Sequence, residues 1–282
     1  MTEESNDNDW GALSPLDGRY SSKTDELRPY LGQWALHKYR TVVEIEYLKF
    51  LDELEDFDYD LTIDERKHIN NLEMNFSPED GKLIRQIETD GWEDIDATHH
   101  DVKAVEYFIR KKMLEAYSEF DSSKIHFALT SEDATNIAYS LMVKGALDNA
   151  VLPAIEKIGE QLIDFSRDYS DLAMLGYTHG QAASPTTLGK EFAYYLNRLG
   201  EQYEEIKESK EKIKGKIAGA TGNLNAHIVG AKAVDWRKEL REFVESFDLE
   251  PIEVVTQVSP RDKMVNLFND FKTLNNGLNV NA

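Results

Sequence analysis

The sequence predicts an all-α fold, and three features indicate it. Apolar residues recur at steps of three and four along most of the chain, the periodic stretches lengthen after residue 125, and the only β-like tract is 252–258. With 282 residues and 41% hydrophobic content, the chain can bury a substantial core. We therefore expect a small helical N-terminal domain over residues 13–120, followed by part of a long-helix bundle over 121–282.

The N-terminal half is predicted to contain several helices behind an irregular start. Residues 1–12 are acidic and polar and are expected to form a disordered leader, while 13–20 form a loop with proline and glycine. Six apolar residues define the first helix, which ends in an acidic tract: Leu36, Tyr39, Val43, Tyr47, Phe50 and Leu54. Further periodic segments predict helices at 63–74, 78–88 and 98–113.

Two long helices are predicted in the second half. The first begins at a T-x-x-D capping pattern formed by Thr130 and Asp133, and Pro153 should kink or interrupt it. The second keeps a near-heptad apolar period over 188–217. Helices of this length need partners along their whole extent. We expect a bundle or an oligomer, with the apolar stripe of the second helix exposed in the monomer.

The charge balance and the cysteine count exclude several classes of protein. A formal net charge of -21 repels nucleic acid and anionic membranes, because binding to either depends largely on basic surface. The sequence shows no secretory signal and no apolar run as long as a membrane span. The absence of cysteine excludes disulfides and thiolate metal sites and fits a reducing cytoplasm. We expect a cytoplasmic protein without nucleic-acid or membrane partners, whose acidic surface gives solubility or adaptation to salt.

Of the seven histidines, His179 is the first candidate for chemistry. It lies in a glycine-flanked turn between the two long helices, where an imidazole can approach a ligand closely and transfer protons near neutral pH. The alternative is a turn or cap histidine. Three others, His37, His68 and His126, lie within helical patterns without a chemical neighbour and are expected to be structural or solvent-facing.

Two further clusters are placed at predicted helix starts. In Thr98-His99-His100-Asp101, the aspartate can orient a neighbouring ring, and the helix start offers free N–H groups to an anion. The second cluster places two hydroxyls, Thr130 and Ser131, at the mouth of a long helix. These hydroxyls are either helix caps or, together with the helix dipole, ligands of a carboxylate or phosphate.

In their order and spacing, five segments resemble the adenylosuccinate lyase family of the aspartase/fumarase superfamily: SPLDGRY, THHDVKAVEY, HFALTSEDATN, THGQAASPTTLGKE and KIAGATGNLNAH. The TSED and THGQ segments favour this branch over argininosuccinate lyase or fumarase. The resemblance implies an aspartase/fumarase-like helical fold, a homotetramer, and no metal or redox cofactor. It also implies a β-elimination in purine nucleotide synthesis that releases fumarate from adenylosuccinate, giving AMP, and from the succinyl-carboxamide ribotide.

The resemblance implies roles for individual residues. His179 would be the general acid, and His100 would assist it while binding substrate. Substrate binding would fall to nine residues: Arg19, Tyr20, His99 and Asp101 at the nucleotide, Thr130 and Ser131 at the succinyl carboxylate, and Gln257, Lys103 and Asn225 as further contacts.

The chain departs from the family pattern at several positions and at its end. The family often has Asn at His99 and Tyr at Leu224, and a bacterial relative would commonly have His at Arg261. Family members continue to a flexible loop, S-S-x-M-P-x-K-x-N-P, whose serine is the base, and these 282 residues contain no such motif. We expect the resemblance to end at Phe271, and the chain to be a fragment, a truncated product or a frameshifted end.

Two other interpretations remain open on the sequence. His100 and Asp101 could form the metal-binding pair of an all-helical HD-type phosphohydrolase, with His68 and Asp133 as further ligands. Alternatively, the chain is an inactive truncated homologue, or a helical interaction partner of full-length subunits.

Overall fold

The computed structural model describes residues 14–280, and the all-α prediction is confirmed. The α-helices of this range are α1 (Arg28–Leu31), α2 (Gln33–Glu53), α3 (Ile63–Met74), α4 (Pro78–Thr89), α5 (Asp101–Ala116), α6 (Ser131–Ala146), α7 (Leu152–Asp168), α8 (Leu188–Glu211), α9 (Asn225–Gly230), α10 (Trp236–Glu245) and α11 (Asp262–Val280). The strands are β1 (Ala173–Thr178), β2 (Gln181–Thr187), β3 (Lys214–Gly215) and β4 (Glu250–Pro251). The predicted leader at 1–12 lies outside the described residues.

None of the helices between residues 14 and 280 is long and apolar enough to cross a membrane.

Helix α2 is the centre of the N-terminal half, where it packs against α3, α4, α5 and α6. Its buried face carries apolar side chains, among them Val43, and also three ionisable ones, His37, Arg40 and Glu44. Buried ionisable groups need partners, because a charge without a partner is costly away from water. The partners of Arg40 and Glu44 come from α5, α6 and the turn before α6.

Local sequence signals explain where the neighbouring helices begin. Both α3 and α4 start with a capping box, formed by Thr62 with Glu65 and by Ser77 with Asp80. These boxes satisfy two otherwise free donors at each helix start. The predicted boundaries of the two helices agree with the structure to within one residue, whereas α5 begins at Asp101, later than the sequence indicated.

The first long helix is interrupted near Pro153, as predicted. Helices α6 and α7 are joined without a break by a π-helical turn, Leu147–Val151, directly before Pro153. Proline lacks an N–H and its ring clashes with the carbonyl four residues earlier, so a regular α-helix cannot pass through this point. A π-helical turn is one way to absorb such a disruption.

An antiparallel hairpin between α7 and α8 is the element that the sequence analysis missed. Strands β1 and β2 pair along the hairpin, with an irregularity between Leu175 and Tyr177. His179 and Gly180 form its turn, with φ of 49° and 71°. Both strands are largely exposed, so no burial-driven alternation of apolar residues marked them in the sequence.

The second long helix is shorter than predicted, and the β-like tract is misplaced. Helix α8 ends at Glu211, and the apolar residues that continue its period, Ile213 and Ile217, lie in an extended segment. There β3 pairs in parallel with β4. The tract 252–258, which follows β4, contains no strand.

The expected exposed stripe of α8 is largely covered within one chain. Helix α8 packs against α7 and α11, which bury Leu199 and leave Leu188, Phe192 and Tyr195 partly buried. The ring of Phe192 lies 5.2 Å from that of Phe165 on α7. The expectation was therefore wrong for Leu199, which α11 helps to bury, whereas Phe192 and Tyr195 still line an open groove between α7, α8 and α11.

One contiguous apolar core runs from α2 to α11. It includes residues on both sides of position 120, and α2 packs directly against α6. The division into domains at 13–120 and 121–282 remains a prediction.

Asp133 on α6 forms the most buried polar contact of the structure. Its Oδ1 accepts from the Lys216 ammonium at 2.7 Å and from the Ala218 N–H at 3.0 Å. Its Oδ2 accepts from the Gly219 N–H at 3.1 Å and from the Thr130 N–H at 2.8 Å, the latter in the predicted capping position. The side chains of Asp133 and Lys216 are both fully buried. This network attaches the segment after β3 to the start of α6.

We predict that Lys216→Met destabilises the fold by about 3–5 kcal/mol, because it leaves a buried carboxylate without its counter-charge. Urea unfolding followed by far-UV circular dichroism measures the change. The matched control is Lys238→Met, which removes a lysine whose side chain is 61% exposed, and it should leave the unfolding midpoint unchanged. Equal midpoints for the two variants would contradict the structural role given to Lys216.

Candidate active site

Two helix starts meet at the centre of the candidate site. His100 is the N-cap residue of α5 and Ser131 is the first residue of α6, and His100 Nε2 lies 3.2 Å from Ser131 Oγ. The first N–H groups of a helix have no intrahelical acceptor and carry partial positive charge. Both residues were predicted from the sequence, but their contact was not.

The His100 ring is oriented by the helix that it caps. Its Nδ1 accepts a hydrogen bond from the Lys103 backbone N–H at 3.2 Å. A neutral imidazole has one donor and one acceptor nitrogen, so this bond leaves the proton on Nε2, which faces Ser131. The side chain of His100 is 50% exposed and therefore open to a ligand.

Asp101 does not orient His100 by a hydrogen bond, which corrects the expectation from the sequence. Its Oδ1 is 3.7 Å from His100 Nδ1, beyond hydrogen-bond distance, and instead accepts from the Val102 N–H at 2.9 Å. Its Oδ2 pairs with Arg40 Nη1 at 2.7 Å. Partial burial opposes ionisation of Asp101, but the Arg40 guanidinium and the Val102 N–H together outweigh it and lower the pKa of the carboxyl group.

The irregular segment after β4 closes over the start of α6. The Gln257 amide donates to Thr130 Oγ1 at 3.3 Å, so two predicted binding residues are in contact. Glu132 secures this segment, because it accepts from the Ser259 N–H at 3.1 Å and pairs with Arg261 at 3.4 Å. Glu132 was missed in the sequence, where nothing distinguished it from a solvated helix residue.

Asn225, the first residue of α9, lies on a loop beside this segment. Its amide donates to Thr221 Oγ1 at 3.4 Å. Gly222 in the same loop has φ 79°, and a Cβ there would lie 2.2 Å from the Val255 carbonyl oxygen. The loop therefore needs glycine at this position to approach the segment that carries Gln257.

His99 and Lys103 are placed near the cluster but serve local structure. His99 has φ 48°, and its N–H donates to the Glu88 carbonyl at 2.9 Å in the turn before α5. The Lys103 ammonium pairs with Glu106 at 2.7 Å, and Arg110 pairs with the same carboxylate at 2.9 Å. A ligand would have to compete with Glu106 for Lys103.

Three predicted residues are placed in surroundings of their own. His179 is exposed at the tip of the β1–β2 hairpin. Arg19 and Tyr20 lie in the loop before α1, where the guanidinium is 5.5 Å from the tyrosine ring centre. Over residues 14–280, no hydrogen bond or ion pair joins these three to His100 or Ser131.

His126 has a chemical neighbour after all, which corrects a second expectation. It lies in a turn with φ 60°, and its Nδ1 is 2.6 Å from Oε1 of the fully buried Glu44. Burial opposes the charged ring, but Glu44, Glu106 and Asp133 outweigh it and raise the pKa of His126. This pair fixes the turn that leads to Thr130.

The cluster suits a carboxylate ligand. His100 Nε2 and Ser131 Oγ are 3.2 Å apart beside the start of α6, while the Arg40–Asp101 pair next to His100 is neutral overall. Donors at a helix start can bind an anion through local hydrogen bonds. Such a site does not need an overall positive charge, and this chain has a net charge of -21.

Comparison with known proteins identifies the family. The model of a family described as "Lyase" matches residues 65–280, and the match continues past Phe271, where we expected the resemblance to end. The chain belongs to this lyase family. It is similar to the adenylosuccinate lyases of Vibrio cholerae (39% identity, 91% of this chain and 55% of that enzyme) and Escherichia coli (38%, 91% and 55%). The predicted resemblance is confirmed, and the chain spans about half the length of the curated relatives it matches.

Solved structures show the same fold at low sequence identity. A fumarate lyase from Mesorhizobium sp. BNC1 aligns with a TM-score of 0.69 at 19% identity, over 91% of this chain and 55% of that one. The β-carboxy-cis,cis-muconate cycloisomerase of Acinetobacter calcoaceticus aligns with a TM-score of 0.66 at 16% identity, over 86% and 53%. These two structures therefore share the fold of this chain.

The structure argues against the alternative of a metal-dependent phosphohydrolase, because a proposed metal ligand is already bonded to protein donors. Asp133, one of the proposed ligands, is fully buried and accepts four hydrogen bonds from protein donors. Among residues 14–280, no group of three or more His, Cys, Asp or Glu side chains could bind a metal ion.

We predict a pH-dependent contribution of the Glu44–His126 pair to stability. Because the folded-state pKa of His126 is raised, its contribution is complete below the ordinary value of 6.5 and is lost as pH rises through the folded-state pKa. The difference in unfolding free energy between wild type and His126→Asn should shrink with rising pH, by at most about 1.4 kcal/mol per unit. Denaturant titrations from pH 5 to about 9 measure it. Glu44→Gln should abolish the same slope, and a difference that grows with pH would contradict the assignment.

Proposed function

We propose that the protein works as an adenylosuccinate lyase, releasing fumarate by β-elimination from adenylosuccinate and from the succinyl-carboxamide ribotide. The contact between His100 and Ser131 at paired helix starts is the observation that carries the proposal. The two side chains are neutral hydrogen-bond donors that can bind a succinyl carboxylate. Because such donors are already oriented before the reaction, they stabilise the negative charge that develops on the substrate during elimination. The identity to adenylosuccinate lyases supports the same reaction.

The proposed roles follow the family motifs. Ser131 and Thr130 bind the succinyl carboxylate with the N–H groups of α6, and His100 donates its Nε2 proton to the same substrate. His179 protonates the leaving nitrogen as general acid. Arg19 binds the nucleotide phosphate, for which a guanidinium is well suited. The base that removes the carbon-bound proton is assigned to the serine loop, a motif absent from these 282 residues.

The site is proposed to form between copies of the chain in a homo-oligomer, a tetramer by family resemblance, in the cytoplasm. Between residues 14 and 280, His179 and Arg19 make no hydrogen bond or ion pair with His100, and a two-stranded hairpin without a sheet to join is only marginally stable alone. Leu172 and Tyr177 in and beside this hairpin are 51% and 72% exposed. A groove of about 300 Å³ between α7, α8 and α11 offers a second apolar surface for association.

A complementation assay tests the reaction. The chain is assayed for fumarate release from adenylosuccinate alone and mixed with Escherichia coli adenylosuccinate lyase subunits that carry a substitution at their own counterpart of His179. We expect feeble release by the chain alone, since it carries no serine-loop motif, and recovery in the mixture. Recovery should be absent with His179→Gln in the chain. Robust release by the chain alone would contradict the assigned base, and inactivity in both arms would favour an inactive homologue.

Substrate affinities separate the proposed roles. Ser131→Ala should weaken adenylosuccinate binding about tenfold or more but leave AMP binding unchanged, because AMP lacks the succinyl group. Arg19→Ala should weaken both ligands by a similar factor. His179→Gln should affect both far less, because a general acid contributes mainly in the transition state. Isothermal titration calorimetry measures all three variants on one scale, and equal losses would refute this division of roles.

A further inference from the structure

Arg40 is a buried charge to which the proposed reaction gives no role. Its side chain is 6% exposed on α2, deep beneath the candidate site. Its Nη1 pairs with Asp101 at 2.7 Å, and its Nε donates to Thr135 Oγ1 at 3.2 Å. One guanidinium therefore joins α2 to α5 and α6, the two helices whose starts meet in the site. A guanidinium suits such a bridge because its donors are rigidly fixed in one plane.

The ion pair determines where the Asp101 carboxylate lies. With Oδ2 on Arg40 and Oδ1 on the Val102 N–H, the carboxylate stays 3.7 Å from His100 Nδ1. That nitrogen is then free to accept from the Lys103 N–H. A carboxylate released from Arg40 would be a stronger acceptor beside the ring, and it would favour a proton on Nδ1.

We propose that Arg40 is a positioning residue that holds Asp101 away from His100, so that the ring keeps its proton on Nε2 and presents it to Ser131 and to the substrate. Loss of Arg40 lets Asp101 accept a hydrogen bond from Nδ1–H, which moves the ring proton from Nε2 to Nδ1. His100 then loses its cap bond to Lys103 and offers the substrate an acceptor instead of a donor. The benefit to catalysis rests on the proposed function, whereas the effect on the ring does not.

One further titratable group lies beside the Arg40–Asp101 pair. His37, one turn before Arg40 on α2, is buried, and burial together with Arg40 and Arg85 outweighs Asp101 and lowers its pKa to about 4. It is therefore neutral beside the pair near neutral pH. Once Arg40 is removed, His37 could take a proton and replace the lost charge. Working at about pH 8 keeps this replacement small, because an ordinary histidine is mostly neutral there.

The ring proton is observed directly by ¹⁵N NMR of the 282-residue chain labelled at histidine, with the His100 signals assigned from His100→Gln. Wild type should show the Nε2–H form. Arg40→Met and Arg40→Gln, which remove the charge, should both move His100 mainly to the Nδ1–H form. Arg40→Lys, which keeps the charge, should retain the wild-type pattern. Thr135→Val is the matched control, since it removes the other contact of Arg40 and should leave the pattern unchanged.

The double variant Arg40→Met/Asp101→Ala completes the test, because without a competing carboxylate the Nε2–H form should return. A folded Arg40→Met or Arg40→Gln chain that keeps the Nε2–H form overturns the proposal, as does a Thr135→Val chain that loses it. Arg40→Gln covers the case in which Arg40→Met fails to fold. The NMR measurement does not require catalytic turnover. Its result can therefore be interpreted even if the chain releases no fumarate in the activity assay. In active mixtures, Arg40→Met should lower kcat more than it raises KM.

Discussion

Four donors converge on the buried carboxylate of Asp133, and the geometry of the candidate site depends on that convergence. The carboxylate satisfies the Thr130 N–H and anchors the segment after β3 through Lys216 and two backbone N–H groups. Asp133 lies on the buried side of the α6 start. Ser131 and the Thr130 hydroxyl lie on its partly exposed side, where a ligand can reach them. A buried pair of this kind contributes less to stability than its Coulomb energy suggests, since both groups lose their hydration. Its effect here is to fix one arrangement of backbone around the helix start.

A row of ionisable residues on α2 supports the site from beneath. His37, Arg40 and Glu44 follow one another on the buried face of the helix, and the last two contact other elements. Arg40 reaches the starts of α5 and α6, while Glu44 pairs with His126 in the turn before α6. His37 stays neutral beside Arg40. The N-terminal half therefore sets the orientation of the site residues on the long helices, which is a reason for the close packing of α2 against α6.

The sequence predicted the helices where the signal is local. Capping patterns, periodicity and Pro153 give α3, α4 and the interruption before α7, because each depends on residues within a turn or two. It failed where tertiary contacts decide. Nothing local marks the β1–β2 hairpin, and the burial of Leu199 depends on α11, far along the chain. For the site, motif resemblance gave His100, Ser131, Thr130 and Gln257. Arg40, Glu44 and Glu132 were not found, although charged residues at helical spacing on an apolar face of α2 were a usable signal.

In the proposed complex, the paired starts of α5 and α6 bind the carboxylate end of the substrate. A crystal structure of the protein soaked or grown with adenylosuccinate tests this placement most directly. We expect a succinyl carboxylate oxygen within hydrogen-bond distance of both Ser131 Oγ and His100 Nε2, with the Asp133–Lys216 pair undisturbed beneath it. Ordered adenylosuccinate bound elsewhere, with the His100–Ser131 contact unchanged and unoccupied, would contradict it.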